Sequence, residues 1–277
     1  MKILLTGKPG IGKSTILDLV KKDFAGEKFG IIGREIRNKE GNRVGFEAVS
    51  HKGKRKTYAH TEDLRSDYVV VEKYFVDLEV IDNFVVSEIR KGINNPKALV
   101  FIDEIGRMQA FSQRFLETVS EILTSNSNVL ASIVFDPEPW SIKFKTNDHV
   151  ILIHVSKSNR NELPRVLQTI YDNSDYFHKL TPKQREFVIR LAKEYFDNEK
   201  YIQVSKLFKN AIPYVVQEKI NGKSSKFKVE GNTRQHFVKQ EKDKFLCDCD
   251  LFNGRGQYGE LAGECSHIQA VKLSQIH

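Results

Sequence analysis

The sequence predicts an α/β chain: a mainly parallel sheet with an inserted β-hairpin, followed by a helical connector and a small ββα-like finger. Three observations carry this. The strand-like run Lys2-Ile3-Leu4-Leu5-Thr6 enters a glycine-rich loop, Gly7-Lys8-Pro9-Gly10-Ile11-Gly12-Lys13-Ser14-Thr15, where a helix is due to begin. A second unbroken apolar run, Ala98 to Ile102, ends on Asp103-Glu104; such runs suit strands covered on both faces. All three cysteines gather late in the chain, in Cys247-Asp248-Cys249 and Cys265-Ser266-His267.

The first loop has the GxxxxGK[ST] spacing of a phosphate loop. Its glycines allow the tight turn that aims backbone N–H groups at phosphate oxygens, and the helix that follows adds its positive dipole end. Lys13 is expected on the β and γ phosphates and Ser14 on Mg²⁺, a task Thr15 performs less well from one residue further on. The segment reads as a nucleoside-triphosphate site.

Next comes an amphipathic helix over Thr15 to Asp23, with Ile16, Leu17, Leu19 and Val20 as its apolar positions. Gly30 to Ile36 and Arg43 to Val49 read as a hairpin around Lys39-Glu40-Gly41-Asn42. Tyr68 to Glu72 is predicted as a strand, Val80 to Arg90 as a helix, and Ala98 to Ile102 as the central strand. At its end Asp103 is expected to hold Mg²⁺ through water and Glu104 to polarise the attacking water. Ser112 caps a helix running to Leu123, and Val129 to Phe135 and His149 to Val155 complete the parallel set. Ligands of such sheets bind at the carboxyl ends of the strands.

Several segments together resemble the thermostable nucleoside-triphosphatases, a family also called cancer-related nucleoside-triphosphatases. They are Asp103-Glu104-Ile105-Gly106-Arg107-Met108, Arg34-Glu35-Ile36-Arg37 with Arg43-Val44-Gly45-Phe46-Glu47, and Asn159-Arg160-Asn161-Glu162-Leu163-Pro164. The resemblance spans about residues 1 to 172 and implies a P-loop domain hydrolysing ATP, GTP and other nucleoside triphosphates to the diphosphate. It sets Gly7 to Thr15 on the phosphates, Asp103 on magnesium and Glu104 as the base. Arg37 matches the arginine of the family's Glu-Val-Arg segment, a candidate for stabilising charge on the transferring phosphoryl; a solvated hairpin charge is the alternative. Asn159 and Arg160 match an Asn-Arg pair near the base-binding end of the sheet. Arg107 and Gln109 depart from the family's usual continuation after the acidic pair, and Arg107 reads equally as a surface arginine at a helix entry.

Beyond Asp172 the pattern changes. Thr181-Pro182-Lys183-Gln184 is a capping box with proline at the first helical position, and Phe187, Leu191 and Tyr195 then recur every four residues. A second short helix is expected from Tyr201 to Ala211, ending before Pro213. Three thiolates and an imidazole, Cys247, Cys249, Cys265 and His267, make up a closed tetrahedral Cys₃His zinc site with no open position for catalysis. The pattern is similar to a SWIM zinc finger, in which CxC is followed by CxH and an apolar helix, here Ile268-Gln269-Ala270-Val271. That resemblance implies two strands before the first cysteines, which Lys226 to Val229 and Gln235 to Val238 around Gly231-Asn232 fit, then the spacer Asp250 to Glu264. It also implies contacts to DNA or protein.

The domains are therefore expected at 1–175, 176–214 and 215–277. The chain has 277 residues and a formal charge of +8, unevenly spread. Residues 1–175 hold 26 Lys plus Arg against 24 Asp plus Glu, and residues 176–277 hold 18 against 12. Lys219, Lys223, Lys226, Lys228, Lys239, Lys242 and Lys244 are spread among Phe227, Phe237 and Phe245, which favours DNA or RNA as partner, with plain solubility as the alternative. No run of 18 apolar residues occurs and the first strand begins at the N-terminus, so a cytoplasmic protein without membrane span or leader is expected. The function expected is a Mg²⁺-dependent nucleoside-triphosphate hydrolase coupled to a zinc finger. Its rivals are a nucleotide-gated adaptor for a protein partner and a nucleotide or nucleoside kinase; the water-activating carboxylate speaks against the kinase.

Overall fold

The computed structural model describes residues 1–62, 68–213, 216–221, 224–230, 235–241, 244–249 and 265–276. They form two compact units, Met1–Asp172 and Asn173–His277.

In the first unit nine strands make one sheet: β1 (Lys2–Thr6), β2 (Lys28–Arg37), β3 (Arg43–Ser50), β4 (Arg55–His60), β5 (Val69–Val71), β6 (Tyr74–Val76), β7 (Leu99–Ile105), β8 (Asn128–Ile133) and β9 (Val150–His154). Their spatial order is β5-β6-β4-β3-β2-β7-β8-β1-β9. β2, β7, β8, β1 and β9 run parallel, so their carboxyl ends share one edge. β1 and β8 are buried along their whole length and β7 over Leu99–Asp103, which is why their central residues read as apolar runs. β8 lies between β1 and β7, in register Ile3↔Leu130 and Phe101↔Leu130, so one strand separates the phosphate loop from the acidic pair. β2 is joined to β3 antiparallel, and β4, β6 and β5 extend that side.

The expected hairpin is thus part of a larger antiparallel extension. Its strands β4 and β6 went unread because β4 opens on Arg55-Lys56 and β6 is only three residues long. The helix after the loop starts at Lys13, where Gly12 takes the left-handed cap conformation. Ser112 caps Gln113–Thr124 as expected, its Oγ accepting from the Phe115 N–H at 2.9 Å. The helical stretch before β7 begins earlier than expected, at Leu78, and its middle turn Ile81–Val85 is π-helical. Helices Pro139–Lys145 and Leu163–Asp172 were not anticipated; the second has a clear apolar face of Leu163, Val166, Leu167 and Ile170.

In the second unit the Thr181–Gln184 capping box starts the helix Pro182–Asp197. Tyr201–Lys206 follows and ends in a π turn, Leu207–Ala211. The two expected strands are there, as β11 (Ser224–Glu230) and β12 (Gln235–Glu241), and among the described residues β10 (Val216–Asn221) and β13 (Lys244–Cys247) flank them in an antiparallel meander. Phe227, Val229 and Val238 are buried on the inner face, and the helix Ser266–Ser274 buries Ile268, Ala270 and Val271. That helix is tied to the preceding helices by the Gln269 amide donating to Tyr195 Oη and by Gln184 Nε2 donating to Leu273 O at 3.2 Å. The Gly231-Asn232 turn, the spacer Asp250 to Glu264, Lys223, Lys242 and His277 lie outside the described residues.

One glycine is required by strand packing. Gly30 has φ +101°, and a Cβ there would lie 1.9 Å from the Phe101 carbonyl oxygen on β7. Gly30→Ala is expected to destabilise the first unit by about 3 kcal/mol or more, lowering its thermal midpoint by roughly 6–12 °C. A midpoint within a degree of the parent in a melting experiment would contradict this account of the β2–β7 pairing.

Candidate functional site

The loop after β1 turns where only glycine fits. Gly7 has φ +145°, and a Cβ on it would meet the Val155 carbonyl oxygen at 2.7 Å. Lys13 curls back over the loop, its Nζ donating to Gly7 O at 2.8 Å and Lys8 O at 3.4 Å. The ammonium is therefore held above the ring of backbone amides by weak neutral acceptors, which an anionic oxygen outcompetes.

Asp103 is 5% exposed. Burial pushes its carboxyl above the ordinary range, although hydroxyls of Ser132 and Ser14 donate to it and Arg34 lies near. The Ser132 Oγ–Asp103 Oδ1 distance is 2.5 Å. Arg34 is oriented by Asp18, at 2.7 Å. Glu104 is also pushed up, first by burial and then by the neighbouring Asp103 charge, with Lys13 acting in the opposite sense. The Asp103–Glu104 peptide is cis, and pairing with β8 breaks between Ile102 and Ile105.

Gly7, Pro9, Gly10, Gly12, Lys13, Ser14, Thr15, Asp103 and Glu104 line one cleft of about 590 Å³. Its other wall comes from the antiparallel extension and the loops beyond β7 and β8, through Arg43, Phe46, Tyr58, Tyr74, Arg107 and Asp136 among others. The Arg43 guanidinium donates to Tyr74 Oη and to Glu35 Oε1, each at 3.0 Å, and lies 5.1 Å from the centroid of the Phe46 ring. Tyr58 is buried, hydrogen-bonded to Gln109, and its phenol is pushed well up by burial and by the Glu104 charge. Arg107 is held by Glu138 and Asp136 at 2.8 and 2.7 Å.

Lys8, Ile11 and Arg37 are outside the described lining of this cleft. Arg37 sits on the hairpin, donating to Gly41 O at 2.7 Å and paired with Glu35. Asn159 is buried and shapes the loop after β9, its Oδ1 accepting from Ser156 N–H at 2.9 Å and its Nδ2 donating to His154 O at 2.8 Å. Arg160 reaches the phosphate loop, with Nη1 3.5 Å from Ile11 O.

In the second unit Cys247, Cys249 and Cys265 are buried, and their sulfurs and a His267 ring nitrogen all lie within 4.8 Å of one another. His267 Nδ1 is 3.7 Å from Cys247 Sγ and 3.8 Å from Cys265 Sγ. A tetrahedral zinc ion gives sulfur–nitrogen edges of about 3.6 Å, so this donor set fits one. Contact with Cys249 and Cys265, together with burial, pushes the Cys247 thiol well above its ordinary value. The His236 ring packs on His267 at 3.9 Å between centroids, and its Nδ1 lies 3.0 Å from Asp248 Oδ1.

Ser132, Arg43, Tyr58 and His236 were not singled out from sequence. Ser132 had a usable signal, as the polar residue within the apolar run Val129-Leu130-Ala131-Ser132-Ile133 beside the acidic strand. The others lie on strands whose facing, toward the cleft or toward the Cys/His cluster, no local pattern shows.

Residues 2–168 match the family described as NTPase. The nucleoside-triphosphatase THEP1 of Thermotoga maritima is 34% identical over 163 residues, covering 59% of this chain and 91% of that protein. THEP1 of Natranaerobius thermophilus is 38% identical over 168 residues, covering 60% and 93%. The crystal structure of THEP1 from the hyperthermophile Aquifex aeolicus superposes with a TM-score of 0.53 at 25% identity, covering 60% of this chain and 96% of that one. The solution structure of a human cancer-related nucleoside triphosphatase gives 0.52 at 27% identity, covering 60% and 95%. With more than half its length matched and nearly the whole of each relative spanned, the chain belongs to this family of nucleoside-triphosphatases.

Proposed function

We propose that the first unit cleaves the β,γ bond of a bound nucleoside triphosphate, ATP or GTP among them, and that the second is a zinc-ordered module that binds nucleic acid. The observation carrying the first part is that Lys13, Ser14, Asp103 and Glu104 line one cleft. The hard oxygen donors Ser14 and Asp103 suit Mg²⁺, which when bound would neutralise phosphate charge. In this reading the loop amides and Lys13 hold the phosphates and take up charge developing on the transferring group. Glu104 accepts a proton from the attacking water, a role that its raised proton affinity suits. Arg43 lines the cleft, unlike Arg37, and is the better-placed guanidinium for the phosphoryl group. Asn159 shapes its loop, and Arg160 serves the loop side of the nucleotide.

For the second part, the mutual distances of Cys247, Cys249, Cys265 and His267 support a closed site holding Zn²⁺ in a structural role. The nucleic-acid reading is supported by the basic excess, 18 cationic against 12 acidic residues over 176–277. Among the described residues no helix is long and apolar enough to cross a membrane.

A base must be deprotonated to act, and the Glu104 carboxyl titrates above the ordinary carboxylate range. Turnover is therefore expected to be full above that raised pKa and to fall as pH drops through it. Glu104→Gln is expected to keep Mg²⁺-dependent nucleotide binding while losing about 10²-fold or more in phosphate release. A variant with parental turnover, or an acid limb unchanged by the substitution, would remove Glu104 from the mechanism.

Removal of zinc is expected to unfold the meander of the second unit, because so small a core depends on its metal. The full chain stripped with a strong chelator and returned to Mg²⁺ should lose strand signal by circular dichroism yet still release phosphate. Elemental analysis should return one zinc per chain; a content near zero in freshly purified protein would reject the site.

A further inference from the structure

The meander of the second unit sorts its side chains by face. Phe227, Val229, His236, Val238 and Cys247 are buried, whereas Lys226, Phe237, Lys239 and Leu246 alternate with them and are exposed. Phe237 is 42% exposed and Leu246 44%. Of the three phenylalanines in this basic segment, Phe227 belongs to the core and Phe245 is half-buried beneath Lys272. Phe237 alone among them is presented outward.

Register then stacks like charges. Lys219 on β10 holds the position opposite Lys226 on β11, which is opposite Lys239 on β12, which is opposite Leu246 on β13. The next row on the same face runs Lys228, Phe237, with Asp248 beside Phe237, its Oδ1 accepting from the Phe237 N–H at 3.1 Å. Like charges directly opposite each other on neighbouring strands destabilise a sheet. Here Lys226 and Lys239 face each other across β11 and β12, both exposed, and a polyanion lying over the face matches that pair in charge. Lys226 Nζ lies over the Phe237 ring, 4.4 Å from its centroid, so the cation covers part of a ring that is still 42% exposed and sits where a phosphate beside a stacked base would meet it.

We infer that this outer sheet face is a stacking platform for single-stranded nucleic acid, with Phe237 receiving a base and Lys226, Lys228 and Lys239 contacting phosphates. The inference rests on the nucleic-acid reading of the second unit and adds the surface, the strandedness and the residues. A sheet face bearing an exposed ring suits bases that can splay out, whereas paired bases in a duplex hide their faces from it. The lysines beside the ring supply the salt-sensitive share of affinity. An acidic peptide without aromatic side chains would satisfy the lysines but gives Phe237 no ring to stack on, which sets it behind a single strand, where every base has a stacking face.

The test is fluorescence anisotropy of the full-length, zinc-loaded chain with labelled oligothymidine and with a duplex of equal length, over a range of salt. The single strand is expected to bind more tightly than the duplex. Phe237→Ala should weaken it about tenfold or more, and Lys226→Gln with Lys228→Gln should lower the salt slope by about 0.7 per lysine. Zinc content and phosphate release should stay at the parental level in both variants, since these side chains are outside the zinc cluster and the cleft. Binding that persists unchanged in Phe237→Ala, or that favours duplex, would overturn the platform while leaving the nucleic-acid reading standing. No binding of either probe at low salt would overturn both, and a protein partner would then take the place of nucleic acid.

Discussion

A carboxylate at the end of a strand covered on both faces loses most of its hydration, and Asp103 recovers only part of it from Ser14 and Ser132. The site is organised around that deficit. Ser132 stands on β8, and Ser14 on the first turn of the helix after β1, so the sheet order β7-β8-β1 is what brings both hydroxyls to one carboxylate. Burying charge costs free energy unless it is paired. The site is therefore poised for a cation, and the same burial raises the proton affinity of Glu104 next to it. In the proposed mechanism metal binding and base catalysis thus draw on a single feature of the strand end.

The two units solve the stability problem differently. The first has a continuous core between β strands and helices, with Leu4, Ile31, Val100, Ile102, Phe115, Val119, Ile122 and Ala131 all but fully buried. The second packs the helix Ser266–Ser274 against a four-stranded meander on one side and against Pro182–Asp197 and the turn Leu207–Ala211 on the other, and buries three thiols at the junction of β13 with that helix. Thiols crowded at such distances favour a shared cation over three separate protons. The His236 ring, hydrogen-bonded to Asp248, packs on His267 and steadies the proposed ligand from the helix.

Much of this was legible in the sequence where function depends on contiguous residues. The phosphate loop, the apolar strand ending in Asp103-Glu104, the Ser112 cap, the Thr181–Gln184 capping box and the grouping of cysteines are all local patterns, and each has its structural counterpart. What local patterns could not supply was partnership across the sheet. Nothing in the spacing says that β8 inserts between β1 and β7 and sets Ser132 against Asp103. Likewise Arg37 and Arg43 flank the same turn, and the pairing of β2 with β3 sends one to Gly41 and the other to the cleft beside Tyr74. The outer face of the meander stayed hidden for the same reason: the lysines are scattered in sequence and become a row only through antiparallel register.

Metal dependence of nucleotide affinity reports most directly on the buried carboxylate. Calorimetric titration of the full chain with ATP, with and without Mg²⁺, should show tighter binding with the metal, and Asp103→Asn should lose most of that gain while keeping its metal-free affinity. If Asp103→Asn retained the full Mg²⁺ effect, the buried carboxylate would not be the metal-facing group, and the organisation of the site around Asp103 would be wrong.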